Sequence, residues 1–251
     1  MLTSQRKKII LEKLAQEGQV LAKQLSEMFG LSEDTLRRDL RELDSEGLLQ
    51  RVHGGALPVS PAIATFAERN GQESAAKRAI AKAAAAMIAP GQVVIIDGGT
   101  TSAELVKQLP ATLEATIVTH SPSVAVGLVE HPKVEVILIG GRLYKHSIVS
   151  VGAAAVEAMS HIRADLYFMG VTGVHPTAGL STGDLEEAYI KRALAARAAE
   201  TVVLASAAKL NAASQYAIGD ISLAQSIIVE RSADAALTAP LEQAGLTVIR
   251  A

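Results

Sequence analysis

From about residue 76 onward the sequence repeats one pattern, a short run of Val and Ile followed by an Ala-rich stretch of helical character. The runs are VVIID (93–97), ATIVTH (115–120), VEVILIGG (134–141), ADLYFMG (164–170), TVVLAS (201–206) and SIIVE (226–230). Helix candidates lie between them, around 77–89, 102–109, 122–130, 151–160 and 184–199. Apolar runs without strong alternation belong to strands buried on both faces, and intervening helices let such strands run parallel. The expected fold is α/β with a mostly parallel sheet. Ligands of such sheets sit outside the carboxyl ends of the strands.

Residues 1–57 differ in character and read as short helices. Ser4 is a candidate cap for a first helix carrying Ile9, Ile10 and Leu14, ended by Gly18. VLAKQLSEMFG (20–30) reads as a second helix with Leu21, Leu25 and Met28 on one face and Gly30 as a left-handed stop. Ser32 is a good N-cap for a third helix, whose first turn holds Glu33 and Asp34 where the dipole favours acids. Leu36, Leu40 and Leu43 give it one buried stripe. LLQRVHGG suits a small β-hairpin. Residues 58–75, with two prolines and a polar tail, read as a linker. The expected domains are thus 1–57, a linker 58–75, and 76–251.

Composition excludes several classes. With 251 residues, 49% of them hydrophobic and 20% charged, the chain has material for a sizeable core. A net charge of −2 does not by itself argue for a nucleic-acid or membrane partner. There is no cysteine, hence no disulfide or thiolate metal site. No signal-type segment follows Met1, and no apolar run reaches the roughly 18 residues a membrane helix needs, so a cytoplasmic protein is expected. No HExxH motif or tight His/carboxylate cluster is present, so no metal and no cofactor are expected.

Against that neutral background one cluster stands out. On a helical wheel the leucines of 36–43 point inward, and Arg37, Arg38 and Arg41 fall on the outer half with Asp34 and Thr35. Like charges four apart on a helix cost roughly 0.2–0.5 kcal/mol. Two short helices around Gly30, the second with a polar outer face, match the helix-turn-helix pattern. In that pattern the second helix enters the major groove and its arginines reach guanine. Arg51 and His53 would sit on a β-wing near the DNA backbone or minor groove. Since residues 1–57 carry as many acids as bases, a merely solvated charged face is the competing reading.

The larger part carries candidate anion-binding loops. In VVIIDGGTTSAELVKQL a strand leads through a Gly/Thr loop into a helix. Gly98 and Gly99 admit close approach, Thr100, Thr101 and Ser102 offer hydroxyls, and the helix N-terminus offers unpaired N–H groups, an arrangement suited to phosphate. Asp97, an anion itself, is a candidate for sugar hydroxyls. Thr119, His120 and Ser121 end a second strand, and Ser121 is also an N-cap candidate. Gly140, Gly141 and Arg142 follow a third, where Arg142 either pairs with phosphate or forms a surface salt bridge. Gly170 and Gly173 follow a fourth, and Lys209 a fifth. Thr182 is an N-cap or a pocket edge, and Glu187 with Lys191 reads as an i,i+4 surface pair.

LSEDTLRRDLRELDSEGLLQRVHGGALP closely resembles the N-terminal signature of the DeoR-type bacterial transcription regulators. The resemblance extends through DGGTTSAEL, VTHSPSVA, LIGGRLY, FMGVTG and TVVLASAAK. It implies a winged helix-turn-helix joined to a sensor similar to the sugar-phosphate isomerase fold. Such a sensor usually binds a phosphorylated sugar metabolite that releases the operator. In the resemblance Lys209 corresponds to the sensor-site lysine. Two positions depart from the pattern: His120 stands where Asn is commoner, and Ser206 where the family has Asp.

The expected function is therefore a repressor of carbohydrate-metabolism genes, bound to a double-stranded DNA operator and controlled by a phosphorylated sugar. Pairing over two half-sites implies a homodimer or homotetramer. The alternative, an aldose–ketose phosphate isomerase, needs a positioned carboxylate base, and the loop in FMGVTGVHP has none.

Overall fold

The computed structural model describes residues 1–60, 66 and 75–251. The N-terminal part is built from α1 (Thr3–Glu17), β1 (Val20–Leu21), α2 (Ala22–Phe29), α3 (Glu33–Ser45), β2 (Gln50–Val52) and β3 (Gly55–Leu57). Ile10, Leu14, Leu25, Leu36, Leu40 and Leu43 form its core. The expected boundaries move slightly. Leu2, not Ser4, precedes the first helix, which ends on left-handed Gly18. Val20 and Leu21 form a strand instead of the first turn of α2, and Met28 points to solvent.

The wing is a hairpin of β2 and β3, to which β1 adds a third strand. Its glycine is forced, since a Cβ on Gly55 would lie 2.0 Å from the Val20 carbonyl oxygen. One buried ion pair ties the helices together. Arg6 of α1 presents its guanidinium as a fork to Asp39 of α3, with Nη2 donating to Oδ1 at 3.0 Å and Nε to Oδ2. The hydrogen bond to Asp39 raises the pKa of Arg6 above its ordinary value against the cost of burial. At the wing, the Arg51 backbone N–H donates to Asp44 Oδ1 at 3.0 Å.

The larger part is a seven-stranded, fully parallel sheet in the order β15-β14-β12-β9-β4-β5-β6. The strands are β4 (Val93–Ile96), β5 (Ala115–Thr119), β6 (Val134–Leu138), β9 (Ala164–Gly170), β12 (Ala198–Leu204), β14 (Ser226–Val229) and β15 (Thr247–Arg250). Successive side chains face opposite cores. Val94 and Ile96 pack with the helices Ala75–Ala86, Thr100–Gln108 and Pro122–Gly127. Ile95 packs with Ala153–Met159, Leu185–Ala195 and Ala235–Gln243 on the other face. Burial on both faces is why the runs in the sequence do not alternate.

Short antiparallel additions were not legible as runs: β7 (Arg142–Tyr144) with β8 (Val149–Val151), and β10 (Gly173–His175) with β11 (Gly179–Thr182) and β13 (Tyr216–Gly219). The chain proceeds from β4 toward one edge through β5 and β6, and from β9 toward the other through β12, β14 and β15. The winding therefore reverses between β4 and β9. Of the expected linker, Ala75 already opens a helix, and Pro58–Ser60 lies against the larger part, with Val59 bridged to Ala213 and Ser60 buried. Residues 61–65 and 67–74 lie outside the described residues.

Asp39→Ala leaves the buried Arg6 guanidinium without its partner. The expected loss is about 3 kcal/mol of stability in the N-terminal part, read as an earlier unfolding transition in urea; an unchanged midpoint would show that the pair contributes nothing.

Candidate functional site

On the N-terminal part, the Ser32 hydroxyl accepts from the Thr35 backbone N–H at 3.3 Å and caps α3. The three arginines of the outer face are not equivalent. Arg37 is held along the helix by Glu33 at 2.6 Å and lies 3.8 Å from Asp34. Arg38 and Arg41 are exposed and make no ion pair among the described residues. Arg51 and His53 are exposed on the wing, with Asp34 exposed and Thr35 half-buried at the start of α3. The exposed cations thus gather on the middle of α3 and the wing, the surface a helix-turn-helix offers to a groove.

In the larger part a cleft opens at the carboxyl ends of β4 and β9, where the winding reverses and open α/β sheets bind ligands. Gly98, Gly99, Thr100, Thr101, Ser102 and Gly170 line it, and Lys209 joins them from a 3-10 turn after β12. Gly99 adopts φ 117° and turns the chain into the helix Thr100–Gln108, so the first N–H groups of that helix face the cleft. Gly98 has no room for a side chain, since a Cβ there would lie 2.2 Å from Val149 Cγ1. Side chains missed by sequence reasoning complete the walls: Ser147, Thr172, Glu187 and Lys191. Thr182 also lines the cleft, and the cap of the following helix is Asp184.

Beneath the cleft lies Asp97, fully buried and saturated. Its Oδ1 accepts from His120 Nε2 at 2.7 Å and from the Gly98 N–H at 2.8 Å. Its Oδ2 accepts from the Gly170 N–H at 2.9 Å, from Tyr167 Oη at 3.2 Å and from Lys191 Nζ. No oxygen of Asp97 is left for a sugar hydroxyl. Burial alone would raise its pKa, but the charge of Lys191 and the hydrogen bond and charge of His120 hold it far below the ordinary carboxylate range. Burial, reinforced by Asp97, pushes the Tyr167 hydroxyl well above its ordinary value.

His120 is buried with both ring nitrogens facing oxygens that only accept, Asp97 Oδ1 and the Ser150 carbonyl at 2.9 Å. Thr119 and Ser121 are buried too. Thr119 Oγ1 accepts from the Ser121 N–H, and the Ser121 hydroxyl donates to the Ile148 carbonyl at 3.0 Å. These three residues stand behind the cleft and are not part of its wall. A Cβ on Gly141 would lie 2.9 Å from the Val151 carbonyl oxygen, Arg142 is exposed on β7, and neither residue lines the cleft.

Glu187 and Lys191 are not a surface pair: both are buried, Lys191 bonds Asp97, and Glu187 accepts from the Thr182 hydroxyl at 3.2 Å. Glu187 and not Asp97 is therefore the carboxylate that lines the cleft. The signal for Lys191 was faint, a lysine on an otherwise apolar stripe with Ala188 and Leu194. Ser206, where Asp was expected, bears no cap hydrogen bond, and the Ala207 N–H is accepted by Glu230 instead. Chemically, the arrangement combines a helix N-terminus, threonine hydroxyls and two ammonium groups, a set suited to an anion.

Comparisons with known proteins place the chain. Residues 6–62 match the DeoR-like helix-turn-helix domain, and residues 72–231 match the DeoR C terminal sensor domain. The HTH-type transcriptional regulator GlpR of Haloferax volcanii is 35% identical over 99% of this chain and 98% of its own length. A putative aga operon transcriptional repressor of Escherichia coli O157:H7 is 32% identical over 98% of this chain and 93% of its own. The glycerol-3-phosphate regulon repressor of Escherichia coli K12 is 30% identical, covering 92% of each chain. Among solved structures, the full-length sorbitol operon regulator SorC from Klebsiella pneumoniae aligns over 99% of this chain and 96% of its own at 12% identity and TM-score 0.40. Ribose 5-phosphate isomerase A of Methanocaldococcus jannaschii aligns over 53% of this chain and 52% of its own at 18% identity and TM-score 0.39. Likeness that low carries no argument.

The chain belongs to the DeoR family of helix-turn-helix transcriptional regulators. It is a DNA-binding regulator and not an enzyme. Among the described residues, no helix is long and apolar enough to cross a membrane.

Asp97→Asn would leave the buried Lys191 ammonium uncompensated and is expected to cost about 3–5 kcal/mol at neutral pH. Because the folded carboxyl titrates below its unfolded value, its contribution is complete above about pH 4 and fades as the pH falls further. Denaturant curves of wild type and variant should therefore converge in acid; a difference that grows toward low pH would contradict the assignment.

Proposed function

We propose that the protein represses carbohydrate-metabolism genes from a specific operator and is released by a phosphorylated sugar or related metabolite held in the cleft. The observation that carries this reading is the convergence, at the point where the sheet reverses, of the Thr100–Gln108 helix N-terminus with Thr100, Thr101, Lys191 and Lys209. A phosphate there meets N–H groups, hydroxyls and positive charge together, and stays clear of the Glu187 carboxylate by lying toward the helix. A relative named for the glycerol-3-phosphate regulon supports the same ligand class. The protein acts in the cytoplasm as a homodimer or homotetramer, since helix-turn-helix heads pair over two half-sites. A ligand moves the equilibrium only by its differential affinity for the free and DNA-bound forms, typically about 1–3 kcal/mol.

Fluorescence anisotropy on DNA from upstream of the protein's own gene, at fixed salt and with a panel of sugar phosphates, tests the reading. Specific binding that one compound abolishes is expected; binding indifferent to every compound would remove the effector. Arg38→Ala should lose about 1–3 kcal/mol on the preferred sequence and little on random DNA; equal losses on both would reduce Arg38 to a backbone contact. The double variant Thr100→Ala, Thr101→Ala should bind DNA normally and ignore the sugar phosphate, and retained induction in it would refute the assigned site.

A further inference from the structure

The cleft holds only part of the ligand assigned to it. Its volume is about 40 Å³, where a single water needs about 10–15 Å³. That accommodates one compact group, such as a phosphoryl, and leaves the carbon chain outside. Ser147, Thr172 and Glu187 line the cleft and also line a second cavity of about 310 Å³. This volume is at the lower end for small-molecule sites, the scale of one monosaccharide.

The second cavity has walls from both parts of the chain. Asp44, Gly47 and Gln50 come from the end of α3 and the wing, and Tyr144, His146 and Gln215 from the larger part. Carboxylates and amides offer partners to sugar hydroxyls, and the rings of Tyr144 and His146, tilted 38° with centroids 5.8 Å apart, offer apolar surface to C–H groups. The segment between the two parts is fixed at the same place. Val59 bridges Ala213, and the Ser60 hydroxyl donates to the carbonyl of Thr172. The Thr172 hydroxyl in turn donates to Ser214 Oγ at 2.7 Å. The cavity's outer wall is therefore joined to its floor through a residue that also touches the phosphate-sized cleft.

We propose that the polyhydroxylated body of a pentose or hexose phosphate occupies this cavity, so that the DNA-binding head itself supplies part of the effector site. The inference rests on the sugar-phosphate reading above and extends it. The ligand touches the head directly, so release from DNA begins within one subunit, by a change in how head and sensor pack. Orthophosphate fills the inner cleft alone and does not reach the head.

Isothermal titration of the full chain with inorganic phosphate and with a set of pentose and hexose phosphates tests this. Gln50→Ala and Gln215→Ala should each weaken the sugar phosphate that wild type binds by about tenfold, the loss of one hydrogen bond to a bound hydroxyl. Inorganic phosphate should bind all three proteins alike. Gln50→Trp, in a chain that otherwise has no tryptophan, should fill the cavity and exclude the sugar phosphate while phosphate still binds. If the Gln50 and Gln215 variants bind the sugar phosphate like wild type, while the Thr100, Thr101 double variant loses it, the head has no part in the site and the cleft assignment stands. If wild type binds no phosphate compound at all, the sugar-phosphate reading fails and this inference with it.

Discussion

Everything at the reversal of the sheet depends on how Asp97 is neutralised. A carboxylate with no exposed surface at the end of β4 would be untenable alone, since burial of an unpaired charge costs several kcal/mol. Here each oxygen is claimed from different elements: Gly98 and His120 on one side, Gly170, Tyr167 and Lys191 on the other. Four separate segments of the chain are thereby fixed to one point, and β9 approaches β4 so closely at Gly170 that a Cβ there would stand a tight 3.0 Å from the Gly98 carbonyl oxygen. The Asp97–Lys191 pair lies beneath a loop of glycines and threonines. The ions that hold the sheet together therefore stand at the floor of the cleft, to whose lining Lys209 adds a further ammonium group.

The architecture of the larger part was legible because strands buried on both faces can only be written as apolar runs, and the six that were read all became strands. The antiparallel hairpins around residues 142–151 and 173–182 were not legible, because each strand is three or four residues long and too short to show a period. In the candidate site, the loop from Gly98 to Ser102, read from its local chemistry as a phosphate-binding turn, lines the cleft. Asp97 and Lys191 were misjudged for one shared reason. Their partners are 94 positions apart in sequence, and neither periodicity nor spacing can report a pair made by the return of the chain. Seen alone, a strand-end aspartate reads as a ligand, and a lysine four residues after a glutamate reads as surface.

The N-terminal head follows the same logic at smaller scale. Asp39 lies inside the run of arginines on α3, yet it belongs to the other face, where it receives Arg6 from α1. Arg37 is occupied by Glu33. What remains outward is a narrower cationic surface than the composition of the helix implies: Arg38 and Arg41, with Arg51 of the wing. A head that is formally neutral can present such a surface because its acids are consumed in structure. Lys7, held by Glu42 and Glu46, is consumed likewise.

Head and sensor meet at one cavity. Asp44, which accepts the Arg51 N–H and so sets the wing against α3, also lines the cavity between head and sensor. Glu187, which lines both that cavity and the inner cleft, belongs to the helix that sends Lys191 to Asp97. The cavity is thus walled by the helix that holds the sheet's central carboxylate and by the residue that ties the wing to α3. Both structures are rigid because their polar groups are satisfied, and rigid elements joined across one cavity change their mutual packing more readily than their own shape.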